Sequence, residues 1–300
     1  MFYFCFIENP IKQIDRIIRK GIFLVSGVLL ASMCAGGCSQ SQKQASATDE
    51  EQALFACTDS ITTVCDSMKL TQIRDNAQER LMQLSLFGEL PQALIDSLGI
   101  SQGVPASVST FLLEIDGKRI LFDTGMGAPD SRLLTNLSAV GVTPADIDYL
   151  YLTHFHGDHI GGMMKGDSVV FPRAEVYAAQ QEYDAWTQMP DEQKAQVVAT
   201  MEAYKERLHL VAYGDTLPCG VVALNCAGHT PGHTAYQVGK FIIAGDLVHG
   251  AALQLAHPEI CAAYDMDPQA AIQKRRHFLD YARQNHLFLA GMHQPAGHAK

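Results

Sequence analysis

Thr153-His154-Phe155-His156-Gly157-Asp158-His159 is the stretch on which this sequence turns. It places three imidazoles and a carboxylate within six residues, directly after the apolar run 147–152, which has the length and content of a buried strand. Such a cluster has no apolar logic, because protonated it repels itself and dry it costs desolvation. A bound dication removes both penalties. Two-residue spacing puts His154 and His156 on the same side of an extended segment, where they can share one metal. Asp158 and His159 then face a second position, at the roughly 3.5–4 Å separation usual for two-metal sites.

Working outward, the same arrangement recurs: a short apolar strand, then a polar loop carrying His or Asp. The run 118–123 ends in Asp123-Thr124-Gly125, and 221–226 leads into Gly228-His229-Thr230-Pro231-Gly232-His233. The run 241–244 ends in Gly245-Asp246, and 287–290 delivers Gly291-Met292-His293. Between these lie the connecting elements. Asp116-Gly117 joins 108–115 to 118–123 as a type I′ hairpin signal. A helix is expected over 131–140, stopped by Gly141, and a strand over 175–178. A second helix is expected over 191–208, with Val197, Met201, Tyr204 and Leu208 facing the core. Gly239-Lys240 turns 236–238 back into 241–244. Asp267 as N-cap and Pro268 at the first position open a helix over 268–285. The stretch 53–98 mixes three- and four-residue apolar spacing, which predicts mostly helix and loop, with Pro91 at a helix start. No long linker interrupts 54–300, so 53–300 reads as one domain.

Composition sets the class. The chain of 300 residues is 47% hydrophobic and 18% charged, which excludes extensive disorder. A formal net charge of −10 argues against a broad nucleic-acid footprint. All 12 histidines lie at or after His154, so the second half of the chain uses imidazole. Of these, His209, His257, His277, His286 and His298 read as surface or structural.

The first 38 residues read as targeting sequence. Lys12, Arg16, Arg19 and Lys20 precede an apolar run, 22–35, that is short for a membrane span of about 20 residues. The run ends in Ala35-Gly36-Gly37-Cys38, which resembles a bacterial lipoprotein processing site, with Cys38 becoming the lipidated residue. The alternatives are a secretory signal cleaved near Ala35 and an uncleaved anchor. Residues 39–52 are polar and form a flexible tether. The expected location is therefore exported, periplasmic or lipid-anchored to a bacterial membrane, with membrane contact only through this leader. Beyond the leader, Cys57, Cys65, Cys219, Cys226 and Cys261 make no complete disulfide framework and read mostly as small buried residues.

The motif from His154 to His159, with Asp123, His229, Asp246 and His293 following in order, resembles the metallo-β-lactamase superfamily of binuclear hydrolases. The resemblance implies an α/β fold, a four-layer αββα sandwich. It implies one metal held by His154, His156 and His229, a second held by Asp158, His159 and His293, and Asp246 bridging them. The implied cofactors are two zinc ions, with Mn, Fe or Co as alternatives. A metal-bridging hydroxide is the implied nucleophile, with Asp158 or Asp246 shuttling the proton to the leaving group. Asp123 and His233 are expected to support the ligands, and His249 to line the pocket. The pattern Gly245-Asp246-Leu247-Val248-His249, then His257-Pro258-Glu259 and Asp265, is similar to the methyl parathion hydrolase-like branch. Members of that branch run on well past the last ligand, and this sequence ends at Lys300. The function so implied is hydrolysis of small-molecule esters or lactones, with phosphotriesters as further substrates. The alternatives are a glyoxalase II-like thioesterase and a mononuclear iron oxidoreductase of the persulfide dioxygenase kind.

Overall fold

Successive residues of the central strands face opposite layers, and this alternation builds the architecture. The computed structural model describes residues 60–294 apart from Asp66. The leader 1–38, the tether 39–52, Cys57 and His298 lie outside the described residues, all of which fall in one unit, Ala45–Lys300. In chain order the strands are β1 (Ser60–Cys65), β2 (Met68–Arg74), β3 (Arg80–Met82), β4 (Val104–Ala106) and β5 (Ser109–Ile115). They continue as β6 (Lys118–Phe122), β7 (Tyr149–Tyr151), β8 (Met164–Lys165), β9 (Ser168–Val169) and β10 (Glu175–Ala179). The last are β11 (Leu208–Val211), β12 (Val222–Asn225), β13 (Thr234–Val238), β14 (Phe241–Gly245) and β15 (Phe288–Gly291). The α-helices are α1 (Gln92–Leu98), α2 (Leu133–Ala139), α3 (Gly157–Ile160) and α4 (Gln180–Thr187), then α5 (Asp191–Ala203), α6 (Ala251–Gln254) and α7 (Pro268–Asn285).

One sheet of seven strands runs β1-β2-β5-β6-β7-β10-β11, and a second of four runs β12-β13-β14-β15. The first is antiparallel as far as β6 and parallel from β6 to β11. The second is antiparallel except for its β14–β15 pair. Phe111, Leu113, Ile120, Phe122 and Tyr151 of the large sheet meet Tyr236, Val238, Phe241 and Ile243 of the small one in an apolar layer between the sheets. Their sequence neighbours Leu112, Leu121 and Leu150 point the other way, onto Leu133 and Leu137 of α2, Trp186 of α4 and Val197 and Met201 of α5. On the small sheet, Ala235, Ile242, Ala244 and Leu289 face Phe278 and Ala282 of α7. The layers are therefore helix, sheet, sheet, helix, the αββα sandwich of the metallo-β-lactamase fold.

Local sequence explains most element boundaries. Asp116 and Gly117 both hold positive φ, 50° and 73°, as a type I′ turn requires. Asp267 caps α7 by accepting the Ala270 N–H at 3.0 Å. Two expectations are corrected. The stretch 53–98 holds the hairpin β1–β2 and strand β3 ahead of α1. Strand β2 is buried on both faces, at Met68, Leu70, Thr71, Gln72 and Ile73, and its alternation Met68-Lys69-Leu70-Thr71 breaks at Gln72, which leaves only a short strand signal. The helix expected to reach Leu208 ends at Ala203, because Leu208 enters β11 and pairs with Val176 of β10. The Val197, Met201 and Tyr204 stripe is buried as expected. Of the cysteines, Cys226 is buried, whereas Cys65, Cys219 and Cys261 are only half-buried.

Truncating Phe278, 3% exposed between α7 and the small sheet, opens a cavity in the outer layer. Phe278→Ala is expected to lower unfolding free energy by about 3–5 kcal/mol, read from urea denaturation.

Candidate metal centre

Each side chain of the sequence cluster stands just beyond the carboxyl end of a strand. Asp123 follows β6, and His154 and His156 follow β7, with Asp158 and His159 on the single turn of α3. His229 lies between β12 and β13, Asp246 directly after β14 and His293 directly after β15. Two backbone details aim these residues. Asp123 sits in the left-handed region at φ 59°, a costly conformation for a residue with a side chain. Gly245 has φ 53°, and a Cβ there would lie 2.4 Å from His233 Nε2, so only glycine fits before Asp246.

Three ring nitrogens meet at one point. His154 Nε2 is 3.0 Å from His156 Nδ1, and His229 Nε2 is 3.2 Å from the former and 2.9 Å from the latter. Four nitrogens or oxygens around a tetrahedral zinc ion, at bonds of about 2.0–2.1 Å, stand about 3.3 Å apart. Asp158, His159 and His293 form a second group within metal-binding reach of one another. Asp246 stands between the groups. Its Oδ2 is 3.3 Å from His229 Nε2, 3.7 Å from His154 Nε2 and 3.0 Å from His293 Nε2, and its Oδ1 is 3.1 Å from His159 Nε2.

The outer ring nitrogens fix the tautomers. His159 Nδ1–H donates to Asp123 Oδ2 at 2.7 Å, His229 Nδ1–H to Asp265 Oδ1 at 3.1 Å, and His293 Nδ1–H to the Ser107 carbonyl at 2.7 Å. Thr153 Oγ1 donates to Asp123 Oδ2 at 2.6 Å, so it accepts from His154 Nδ1–H at 3.0 Å. In the neutral rings all four Nε2 atoms then turn lone pairs inward. His159 Nε2 and Asp246 Oδ1 are buried, face each other and have no hydrogen-bond partner. Converging lone pairs with no donor among them are what a cation satisfies, and the imidazole and carboxylate donor set suits zinc.

Titration divides the cluster. Burial holds His154 well below the ordinary imidazole range and His229 down to about 3. Burial also acts against charge on His159 and His293, but Asp246 and Asp158 hold His159 well above its usual value and His293 up to about 9. Asp246 in turn, despite its burial, is held well below the carboxylate range by His159, His293 and His154. The second group thus demands positive charge, while the first resists protons and keeps its lone pairs.

A cavity of about 840 Å³ opens over the cluster. Leu81, Met82, Leu86, Val108, Met126 and Tyr264 give it an apolar wall, and Arg80 lines it too. His249 lines it as well; its ring is buried, neither nitrogen has a hydrogen-bond partner, and Nε2 lies 3.5 Å from Asp246 Oδ2. His233 lies behind the site. Its Nε2 accepts the Asp246 N–H at 3.1 Å and its Nδ1–H donates to the Cys226 carbonyl at 3.2 Å, which fixes the backbone that carries Asp246. Away from the site, His209 pairs with Glu175 at 2.7 Å, His257 with Glu259 at 3.3 Å, and His277 lies against Phe278 and Tyr281. His286 caps α7 at φ 52°.

Several supports had no local signal in the sequence. Asp265, noted there only as part of a pattern, orients His229 and is held by Arg275 at 3.0 Å. Arg275 is fully buried and also donates to the carbonyls of Leu247, Pro258 and Ile260. Glu182 and the Ser107 carbonyl were not anticipated. A buried Arg or Glu amid helical spacing is the one hint a sequence offers, since such groups are buried only when paired.

Residues 103–190 match the family described as the metallo-beta-lactamase superfamily. A solved hydrolase of the beta lactamase superfamily, AbOPH, is 28% identical and superposes with a TM-score of 0.69 over 79% of this chain and 90% of its own. AidC, a dizinc quorum-quenching lactonase solved with an N-hexanoyl-L-homoserine product, shares the fold at 22% identity and a TM-score of 0.71, over 78% of this chain and 90% of that one. Hydroxyacylglutathione hydrolase of Xanthomonas campestris pv. campestris is 30% identical over 138 residues, 45% of this chain and 44% of that relative. The chain spans less than half the length of the curated relatives it matches. The match over residues 103–190 and the solved neighbours show that the chain shares the fold of these proteins.

Burial pushes His233 down to about 4, so the folded protein keeps it neutral while the unfolded chain protonates it near 6.5. Its contribution to stability is full above the unfolded value and falls as pH drops toward 4. Urea denaturation should show wild type losing more stability than His233→Gln between pH 7 and pH 4.5.

Proposed function

We propose that this chain is a binuclear metal-dependent hydrolase that cleaves small-molecule esters or lactones, with phosphotriesters as further substrates, and that it stands near the methyl parathion hydrolase-like branch. The observation that carries the reading is the Asp246 carboxylate, buried between two groups of inward-facing donors, with His154, His156 and His229 on one side and Asp158, His159 and His293 on the other. Two zinc ions held there would supply a water activated near neutral pH and polarise the scissile oxygen.

The chain's own residues do the rest. Asp246 fixes the spacing of the two donor groups, and His233 fixes Asp246 through its backbone. Asp158 is the most exposed of the carboxylates here, with 29% of its side chain accessible, and it lines the cavity. It is thus placed to hold the proton released on attack and pass it to the leaving oxygen. His249 faces the same space as a hydrogen-bonding wall. The apolar wall excludes water from one side of the substrate and suits an acyl or aryl group. The leader supports reading the protein as exported and anchored by Cys38.

A second reading, a glyoxalase II-like thioesterase, is favoured by the hydroxyacylglutathione hydrolase relatives. A mononuclear iron oxidoreductase is less well supported, because it leaves Asp158, His159 and His293 without a task.

Purified protein should carry close to two equivalents of metal, mostly zinc; one equivalent of iron would contradict the reading. On a panel of p-nitrophenyl esters, γ- and δ-lactones, thioesters and phosphotriesters, esters or lactones should turn over fastest. Activity confined to thioesters would move the assignment to the second reading. Asp246→Ala should abolish turnover and lower metal content while preserving the circular dichroism spectrum.

A further inference from the structure

Glu182 is a buried carboxylate, 1% exposed, in the first turn of α4 and outside the residues that face the cavity. Isolated buried carboxylates are costly, so its partners explain its presence. Oε1 accepts the Phe155 N–H at 2.9 Å and the Trp186 indole N–H at 2.6 Å. Oε2 accepts the Thr230 hydroxyl at 2.9 Å and the Gly232 N–H at 2.7 Å. Phe155 lies between His154 and His156, and Thr230 directly follows His229. One carboxylate therefore ties together the two loops that bring all three imidazoles of the first donor group. Its bond to the shared segment falls at Phe155, between His154 and His156 and ahead of Asp158 and His159, and none of its hydrogen bonds goes to the segment that carries His293.

The contacts around it agree. Trp186, one helical turn on, sets its ring edge-on to His156, centroids 5.5 Å apart at 89°. Gln181 Nε2 donates to the Pro231 carbonyl at 2.7 Å. A Cβ on Gly232 would stand 2.1 Å from Glu182 N, so the second loop lies directly on the start of α4. The helix thus braces the first donor group from outside, through the backbone on one side and through the His156 ring on the other.

We infer that Glu182 is a positioning residue selective for the first of the two metal sites, acting with Trp186 to set the mutual geometry of His154, His156 and His229. The inference rests on the binuclear reading above. It also makes Trp186, the only tryptophan in the chain, an intrinsic reporter of cation binding at that one site.

The test titrates the full chain, stripped with a chelator, with cobalt(II) alone, following visible absorbance and tryptophan fluorescence. Wild type should bind two equivalents, one of which quenches Trp186. In Glu182→Gln, which keeps size but replaces two acceptor oxygens by one, the quenching equivalent should bind about tenfold or more weaker while the other is unchanged. Equal affinities in wild type and variant, or equal weakening of both equivalents, would overturn the inference. Should Glu182→Gln lose its circular dichroism spectrum, Thr230→Val, which removes one of the four donors and leaves the carboxylate, decides. A smaller loss confined to the quenching equivalent supports the inference, and unchanged binding overturns it. A wild-type chain that binds no cobalt would sink the binuclear reading itself, and is told apart from failure of Glu182's role by being seen before any variant is made.

Discussion

Converging lone pairs at the strand ends organise this molecule. Asp123, Asp265, Ser107 and Thr153 take up the outer nitrogens of four histidines, which in the neutral rings turns four Nε2 lone pairs inward. The inner atoms are packed within about 3 Å of one another and of Asp246. The first donor group resists protons, so its converging lone pairs are relieved by a cation from outside the chain, and the outer partners keep the rings from rotating away.

The sandwich makes this arrangement attainable. Its two sheets bury a shared apolar layer rich in aromatic rings, among them Phe122, Tyr151 and Tyr236, with centroid separations of 5.5–5.7 Å. Strand ends from both sheets then open onto the same place, so residues more than a hundred positions apart arrive on rigid backbone. Further ties hold the ends in register. Thr234 N–H donates to the Thr153 carbonyl at 2.8 Å across the sheets, and Ser109 N–H donates to the Met292 carbonyl at 2.9 Å. Precision at the centre therefore comes from the fold and from buried polar supports, Glu182 and Arg275 among them, that lie outside the cavity lining.

Much of this was legible in the sequence, and the exceptions have physical causes. The strand-then-loop pattern is readable because strands such as 241–245 are short apolar runs that end abruptly in Asp or His, and α7 is readable because Asp267 and Pro268 mark its start. Strand β2 is hard to read because its alternation lasts only from Met68 to Thr71 before Gln72 breaks it, and the end of α5 because Leu208 continues the apolar spacing while serving a strand. The cluster from His154 to His159 announced itself by density of chemistry. Its supports did not, because Glu182, Asp265 and Arg275 each act across 10 to 50 residues of sequence on helices or loops whose spacing looks ordinary. Sequence density finds the residues that face a ligand; only the folded chain shows what holds them there.

Anomalous diffraction at the zinc edge, from crystals grown with zinc, locates the cations in the cluster. Two peaks about 3.5–4 Å apart are expected, one against His154, His156 and His229 and the other against Asp158, His159 and His293, with Asp246 between them. A single peak, or peaks away from Asp246, would contradict a binuclear centre.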